Sequence, residues 1–203
     1  MNRRPYTKLR RAEAEAATRE RIVRAAVDLH AKHGATGTSY AMIAEKAGVS
    51  PQTVYNHFPE LGVLIEGCTG HVQRRAPAVD AACFADGRTA AQRLRKLAAA
   101  VYAQLEYLAP WMRLGWGEAE RVPELRAVFD RGEAALRELL TQAAAPDYRA
   151  TPAFLDAALL LLDYPAWKRL TERRSRVRAA ALAGDGLVAL LETLCQASPR
   201  ARS

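Results

Sequence analysis

Apolar residues recur along this chain with the three- and four-residue spacing of helices, and few segments alternate with the period of two that strands show. In the first helical stretch, at about residues 14–33, Ile22 and Leu29 share one face, and Gly34 follows as a C-cap. Three short helical pieces are predicted between residues 38 and 75, and longer helices at about 88–108, 123–145, 151–170 and 175–196. The pattern predicts an all-α protein of about nine helices.

Composition agrees with a helical globular protein. Half of the 203 residues are apolar and 26% are charged. The 42 alanines favour helix, since alanine is the best helix former. No stretch is apolar enough for a membrane helix, and the basic N-terminus lacks the apolar segment of a secretion signal. Three widely spaced cysteines predict free thiols and a cytoplasmic protein rather than a disulfide framework.

Positive charge is concentrated at the N-terminus. Residues 1–11 hold five basic side chains and no acid, whereas residues 12–65 hold five basic and six acidic ones. A basic arm, taken as residues 1–13, ahead of a compact helical domain, taken as residues 14–60, is the charge arrangement of a DNA-binding protein. A solvated tail without a binding role is the alternative interpretation of the arm.

Residues 38–58 predict two short helices joined by a tight turn. Ser39 or its neighbour Thr38 can cap the first helix, Gly48 permits a sharp corner, and Ser50 with Pro51 begins the second helix. The side chains expected on the exposed face of the second helix are polar or short and include no acid: Pro51, Gln52, Thr53, Tyr55, Asn56 and His57. Such a face can lie against phosphates without repulsion, so the segment predicts a helix-turn-helix whose second helix suits the major groove of DNA.

At this point the sequence resembles the N-terminal signature of the tetracycline-repressor (TetR) family. The resemblance covers roughly residues 18–65 and rests on the helix spacing, the Ala-Gly-Val-Ser turn at residues 47–50 and the Thr-Val-Tyr-Asn-His-Phe run at residues 53–58. It implies a homodimeric, ligand-responsive transcriptional regulator, in the first instance a repressor, that binds a palindromic operator and is released by a small lipophilic or aromatic effector. A DNA-binding protein without an effector, or an activator, is the alternative within this class.

The resemblance also implies roles for single residues. Contacts with phosphate are expected from Thr38, Ser39, Ser50, Thr53, Tyr55 and His57. Contacts with base edges are expected from Pro51, Gln52 and Asn56. The chemistry fits this division, because hydroxyl groups and helix N-termini suit phosphate, while Gln and Asn can pair with adenine. Packing within the small domain is the other possible role of Tyr55 and His57.

One position departs from the family pattern. The family usually has a lysine shortly after the phenylalanine of the signature, where it meets phosphate, and this chain has Leu61 there. The departure predicts the loss of one phosphate contact, for which the arginines of the arm could compensate. It also keeps open a function from another class, namely a helical small-molecule-binding or adaptor protein with weak or lost DNA binding.

Residues 61–203 are expected, by the same resemblance, to bind the effector and to form the dimer. The candidate pocket residues are large aromatic or flexible side chains: Tyr102, Leu105, Trp111, Met112, Trp116, Phe129, Tyr164 and Trp167. The candidate dimer residues lie in the last helices: Phe154, Ala158, Leu161, Leu162, Leu187, Leu190, Leu191 and Leu194. For both sets, packing in the core of a single chain is the alternative interpretation.

Catalytic and metal sites are not predicted. The chain has no Gly-rich phosphate loop and no Gly-x-Ser-x-Gly motif. His30 with His33, and Cys68 with His71, are each spaced one helical turn apart, but neither pair has convincing further ligands. We therefore expect no enzyme activity, no metal and no cofactor.

Overall fold

The computed structural model describes residues 3–197, with side chains from Arg10 onward. This part of the chain contains nine α-helices: α1 (Arg3–His33), α2 (Tyr40–Ala47), α3 (Pro51–His57), α4 (Leu61–Gln73), α5 (Ala90–Glu118), α6 (Pro123–Ala144), α7 (Pro152–Leu162), α8 (Tyr164–Thr171) and α9 (Arg176–Leu194). A short 3₁₀ helix lies at Ala81–Phe84. Residues 3–197 contain no β-strand. Within this range, the only β-bridge is an isolated antiparallel pairing of Tyr148 with Ala197. The prediction of an all-α fold is confirmed for the described residues.

The chain divides into two compact units. The N-terminal unit comprises the chain up to Arg75 together with residues 110–128, and the C-terminal unit comprises Ala76–Ala109 and the chain from Phe129 onward. Helices α5 and α6 therefore each contribute residues to both units. The N-terminal unit includes more than residues 14–60, because α4 and a distant segment of the sequence belong to it as well.

The core of the N-terminal unit is small and tightly packed. Its most deeply buried apolar side chains, all with at most 1% of their surface exposed, are Ile22, Ile43, Val54, Phe58 and Leu64. Gly67 on α4 allows α4 to approach Phe58, since a Cβ at Gly67 would lie 3.3 Å from that ring. The guanidinium group of Arg19 lies 4.4 Å from the centre of the Phe58 ring, a distance at which a cation interacts favourably with the ring face.

In the C-terminal unit, α7 and α9 pack against each other and the first half of α5 contributes to the same core. Leu94, Leu97, Phe154 and Leu187 are fully buried. Gly184 brings α9 close to α5, because a Cβ at this position would lie 3.0 Å from the Cα atom of Arg95. The apolar faces of α5, α7 and α9, which the helical spacing predicted, are buried in this core.

Two helices are longer than the sequence pattern suggested. Helix α1 begins at Arg3 rather than near residue 14, so residues 3–13 continue the helix. Pro5 lies in the first turn of α1, where a missing N–H group interrupts no helical hydrogen bond. Helix α5 was expected to end near residue 108 but continues through Pro110 to Glu118. Beyond Pro110 the helix is held in the N-terminal unit, where Trp111 Nε1 donates to the carbonyl oxygen of Val27 at 2.9 Å.

The single helix expected at residues 151–170 is instead two helices, α7 and α8, which meet at Asp163. The Asp163 side chain caps α8 by accepting a hydrogen bond from Ala166 N at 2.7 Å. Pro165 has no N–H group to donate to the carbonyl oxygen of Leu161, four residues before it. The hydroxyl group of Tyr102, a fully buried residue, donates to that oxygen instead, at 3.0 Å. Local capping and one distant donor thus stabilise the break.

Candidate nucleic-acid interface

Helix α2 is formed by the capping residues that the sequence offers. Ser39 has an extended backbone conformation, and its side chain accepts a hydrogen bond from Met42 N at 3.2 Å. At the other end Gly48 has φ of +65°, the left-handed conformation that glycine adopts without strain. The next residue, Val49, donates its N–H to Ala44 O at 3.0 Å, which closes the turn.

Helix α3 begins immediately after this turn. The Ser50 side chain accepts a hydrogen bond from Thr53 N at 3.1 Å, and its oxygen lies 2.9 Å from the Thr53 hydroxyl group. Pro51 occupies the first turn, and Val54 and Phe58 are fully buried beneath the helix. The predicted pair of short helices with a tight turn is confirmed.

The predicted DNA-contacting residues lie at the surface or close to it. Those with exposed side chains are Ser39, Ser50, Pro51, Gln52, Tyr55 and Asn56. Those that are half-buried are Thr38, Thr53 and His57. The Thr38 hydroxyl group donates to Gly34 O at 2.7 Å, so this residue also holds the turn before α2. Between them the nine residues present hydroxyl, amide and imidazole groups and no carboxylate.

Gln52 and Asn56 are already bonded to each other. Gln52 Nε2 donates to Asn56 Oδ1 at 3.0 Å, which orients both amides on the exposed face of α3. Gln52 keeps its carbonyl oxygen and a second N–H free for a bidentate contact with adenine, and Asn56 keeps two N–H donors. The pair can therefore read base edges without first breaking its mutual hydrogen bond.

Tyr55 packs within the small domain and also remains exposed at its surface. Its ring lies 4.7 Å from the ring of Tyr40 at an angle of 47°, which joins α3 to α2, yet 53% of its surface is exposed. Burial raises the pKa of Tyr40, with smaller contributions from Tyr55 and Cys68, so this phenol stays neutral. Sequence reasoning missed Tyr40, although an aromatic residue in the first turn of α2 is a signal of such a contact.

Leu61 is the first residue of α4, and 38% of its surface is exposed. Glu60 precedes it at the N-cap position without forming a side-chain cap, and the first turn of α4 contains no acid. A helix N-terminus carries partial positive charge and attracts phosphate. The backbone at this helix end therefore favours an anion, whereas Leu61 is apolar and two carboxylates lie nearby, that of Glu60 at the N-cap and that of Glu124 beside Gly62.

The eight candidate pocket residues fall in different units. Trp111, Met112 and Trp116 belong to the N-terminal unit, and Tyr102, Leu105, Phe129, Tyr164 and Trp167 belong to the C-terminal unit. Within the C-terminal unit, the rings of Tyr164 and Trp167 are stacked, with centroids 5.6 Å apart. Trp167 Nε1 is buried and has no hydrogen-bond acceptor within residues 3–197. The C-terminal unit therefore contains an aromatic pair with an unused donor.

The candidate dimer residues lie mostly inside the chain. Phe154, Ala158, Leu162, Leu187 and Leu191 are buried in the core, whereas Leu161 and Leu190 are half-buried and Leu194 is 36% exposed. The five core residues have no surface available to a second chain. The apolar side chains that do reach the surface of α7 and α9 include Leu160 at 69% and Leu182 at 47% exposed. Sequence reasoning did not select these two.

The candidate metal ligands differ in burial, since Cys68 and His71 are buried, His30 is half-buried and His33 is exposed. Burial lowers the pKa of His30, against a smaller opposite effect of Glu118, and burial raises the pKa of Cys68 to about 12, so its thiol stays protonated. Among the described residues, no group of three or more His, Cys, Asp or Glu side chains is arranged to hold a metal ion. Within residues 3–197, no helix has both the length and the apolarity of a membrane span.

A family model agrees with this geometry. Residues 22–60 match the model described as bacterial regulatory proteins, tetR family. The matched segment contains all of α2 and α3 with the caps described above. A comparison with curated proteins finds no match.

Solved structures share the fold over most of the chain. A transcriptional regulator from Rhodococcus sp. Rha1 is 18% identical with a TM-score of 0.64, covering 86% of this chain and 96% of its own. The multidrug binding protein EbrR, solved in complex with imidazole, is 24% identical with a TM-score of 0.63, covering 85% and 93%. A TetR transcription regulator from Haloarcula marismortui ATCC 43049 is 15% identical with a TM-score of 0.61, covering 89% and 100%. At these identities the likeness shows a common fold.

Proposed function

We propose that this chain, which carries the N-terminal domain of tetR-family bacterial regulatory proteins at residues 22–60, is a sequence-specific DNA-binding transcriptional regulator. The observation that carries the proposal is the exposed face of α3. It presents Gln52, Tyr55 and Asn56 without an acid, on a short helix capped by Ser50. Such a helix fits the major groove, with hydroxyl groups at its start directed to phosphate.

A selection of bound fragments from the host DNA, repeated at several salt concentrations, tests this function. A recovered palindrome bound near physiological salt supports it. Gln52→Ala and Asn56→Ala should each weaken operator binding by about 5- to 150-fold and relax the preference at one base pair. Gln142→Ala, the same change at an exposed position of α6, is the control and should bind as the unchanged protein does. Weak binding with no shared sequence would favour the small-molecule-binding or adaptor function instead.

The proposed functional form is a homodimer that joins through α7 and α9. Leu161 lies against Gly186, since a Cβ there would be 3.0 Å from Leu161 Cδ1, and this contact joins the two helices next to the exposed Leu160. Leu182 lies one turn before Gly186 on α9 and is 47% exposed. A second copy related by a two-fold axis can cover this apolar face. Reading a palindrome would require the two copies of α3 to lie about one DNA turn, 34–36 Å, apart.

Sedimentation of the purified protein tests the dimer. Leu182→Glu should produce a monomer at micromolar concentration because it places a charge in the face. Val177→Glu is the matched control, since Val177 is 68% exposed on the same helix but points about 140° away from Leu182. A dimer that survives Leu182→Glu, or is lost equally in both variants, contradicts this choice of face.

The proposed effector is a flat, lipophilic or aromatic molecule that binds in the C-terminal unit and favours a conformation that releases DNA, as expected for a repressor. The stacked Tyr164 and Trp167 and the unused Nε1 donor of Trp167 support this, as does the fold shared with a multidrug binding protein. An effector shifts the equilibrium only by its difference in affinity for the two conformations. Operator affinity that stays constant across a panel of bound aromatic compounds would refute the effector.

A further inference from the structure

Glu118 is the last residue of α5, and the proposed function does not account for the burial and the hydrogen bonds of its carboxylate. Only 7% of its surface is exposed, and it belongs to the N-terminal unit. Its carboxylate accepts hydrogen bonds from Ala35 N at 2.8 Å and Thr36 N at 3.0 Å. The Thr36 hydroxyl group donates a third, at 2.5 Å. All three donors lie in the turn that connects α1 to α2.

The turn is shaped to receive this carboxylate. Gly34 ends α1 with φ of +75°, and a Cβ at Gly34 would overlap Glu118 Oε1. A larger residue at this position would strain the backbone and displace the carboxylate as well. Burial alone would raise the pKa of Glu118, but the hydrogen bonds from Thr36 and Ala35 and the proximity of His30 lower it below its ordinary value. The carboxylate is therefore ionised at neutral pH and forms charge-assisted hydrogen bonds.

Further hydrogen bonds connect this turn to the start of α2. The Thr38 hydroxyl group donates to Gly34 O, and Ser39 then caps α2. The last turns of α5 are also attached to α1 before Glu118 is reached, since Trp111 Nε1 donates to Val27 O. The ends of α1 and α5 thus run side by side in the same direction, and Glu118 joins them at the turn.

We propose that Glu118 is a positioning residue for DNA binding, because its carboxylate fixes the α1–α2 turn and thereby the orientation of α2 and α3. The inference rests on the proposed DNA-binding function. Residues 90–109 of α5 belong to the C-terminal unit, so the helix that ends at Glu118 is continuous with the unit in which we place the effector. Glu118 acts on DNA only through the turn and touches no part of the proposed interface itself.

Glu118→Gln tests the proposal with almost no change in volume. One carboxylate oxygen becomes an NH₂ group, which faces the backbone N–H of Ala35 or of Thr36 as a second donor, so at least one backbone hydrogen bond is lost together with the negative charge. Thr36→Val is the milder variant, since it removes one of the three hydrogen bonds. Glu120→Gln is the matched control, because Glu120 is exposed two residues further along the chain and undergoes the same substitution.

Two measurements separate this role from general stability. Hydrogen exchange of the free protein should show a loss of protection of about tenfold at Ala35, Thr36 and the amides of α2 in Glu118→Gln, without an equal loss in α4. Operator affinity should fall by about tenfold for every operator sequence alike, and by less in Thr36→Val. Both quantities should be unchanged in Glu120→Gln.

The outcomes that overturn the proposal are distinct from failure of the proposed function. Unchanged exchange at the turn in folded Glu118→Gln shows that the carboxylate does not hold it. An equal loss of hydrogen-exchange protection at all amides of Glu118→Gln would show that Glu118 stabilises the fold as a whole and does not hold the turn specifically. If Glu118→Gln does not fold, unchanged exchange and affinity in Thr36→Val overturn the proposal. A protein that binds no operator at all refutes the DNA-binding function and with it this role, whereas the exchange data still show whether Glu118 holds the turn.

Discussion

Replacing Leu61 with lysine should strengthen DNA binding and at the same time weaken the fold. Leu61 occupies the first position of α4 with 38% of its surface exposed, so a longer side chain at this position can reach solvent. Each phosphate neutralised by a cation changes the slope of log K against log salt by about −0.9. If the introduced ammonium group contacts one phosphate, the increase in DNA affinity caused by Leu61→Lys should be about 3.5 times larger at 50 mM salt than at 200 mM salt.

The effect on stability has the opposite sign. A cation in the first turn of a helix opposes the helix dipole and costs about 0.3–1 kcal/mol. The carboxylates of Glu60 at the N-cap and of Glu124 beside Gly62 reduce this cost, so we expect the lower end of the range. Leu61→Glu should reverse both effects, stabilising α4 and weakening DNA binding. Leu61→Gln controls for the loss of the apolar side chain and should leave the salt slope unchanged.

Fluorescence anisotropy with the selected operator at several salt concentrations measures the slope, and urea unfolding measures the stability. Stronger DNA binding together with a lower free energy of unfolding would show that the lysine of Leu61→Lys acts on DNA and not by stabilising the fold. A Leu61→Lys variant with the salt slope of the unchanged protein would refute the reasoning, because it would show that the N-terminus of α4 lies away from phosphate.

Three further changes give independent checks. Deleting residues 2–11 removes five cations and should weaken DNA binding most at low salt, and an unchanged salt slope would contradict a role for this segment. Tyr102→Phe should lower the free energy of unfolding in urea by about 1–2 kcal/mol, because the part-buried carbonyl oxygen of Leu161 loses its donor. An unchanged free energy of unfolding would mean that this oxygen has another donor. Burial lowers the pKa of His30 in the folded protein, so the unfolded chain takes up the proton first and stability falls as the pH drops below about 6.5. His30→Asn should show a smaller fall between about pH 7 and 5.5, and an identical fall would contradict the assignment.

The helix-turn-helix was predictable because its determinants are local. Ser50, Pro51 and Gly48 each satisfy or permit a backbone conformation within three residues of their own position. The same reasoning failed where distant contacts outweigh a local signal. The apolar spacing predicted a helix at about residues 88–108, but α5 continues to Glu118 because its later turns are attached to α1. The break at Asp163 has a local signal in the Asp163 cap and Pro165, but the donor that also stabilises it, Tyr102, lies 59 residues from Leu161.

The dimer candidates show a second limit of sequence patterns. Helix α7 is apolar around most of its circumference, so periodicity cannot tell which face enters the core. Phe154 and Leu160 are equally apolar, yet the first is fully buried and the second is 69% exposed. The choice between them depends on the packing of α7 against α9, and this packing involves residues far apart in the sequence.

In our proposal, operator recognition depends on two groups of residues, and changes in the two groups should have different effects on binding. Gln52 and Asn56 present donors and acceptors to base edges, so changing them alters the ranking of operator sequences. Gly34, Thr36 and Glu118 touch no base in our proposal, and they hold the turn from which α2 and α3 begin. If the turn between α1 and α2 becomes more mobile, α3 is held less rigidly whichever DNA sequence it meets. Changes at Gly34, Thr36 or Glu118 should therefore lower the affinity for all operators in equal proportion. Only the first group can be found from a sequence motif, because the second consists of contacts between residues more than 80 positions apart.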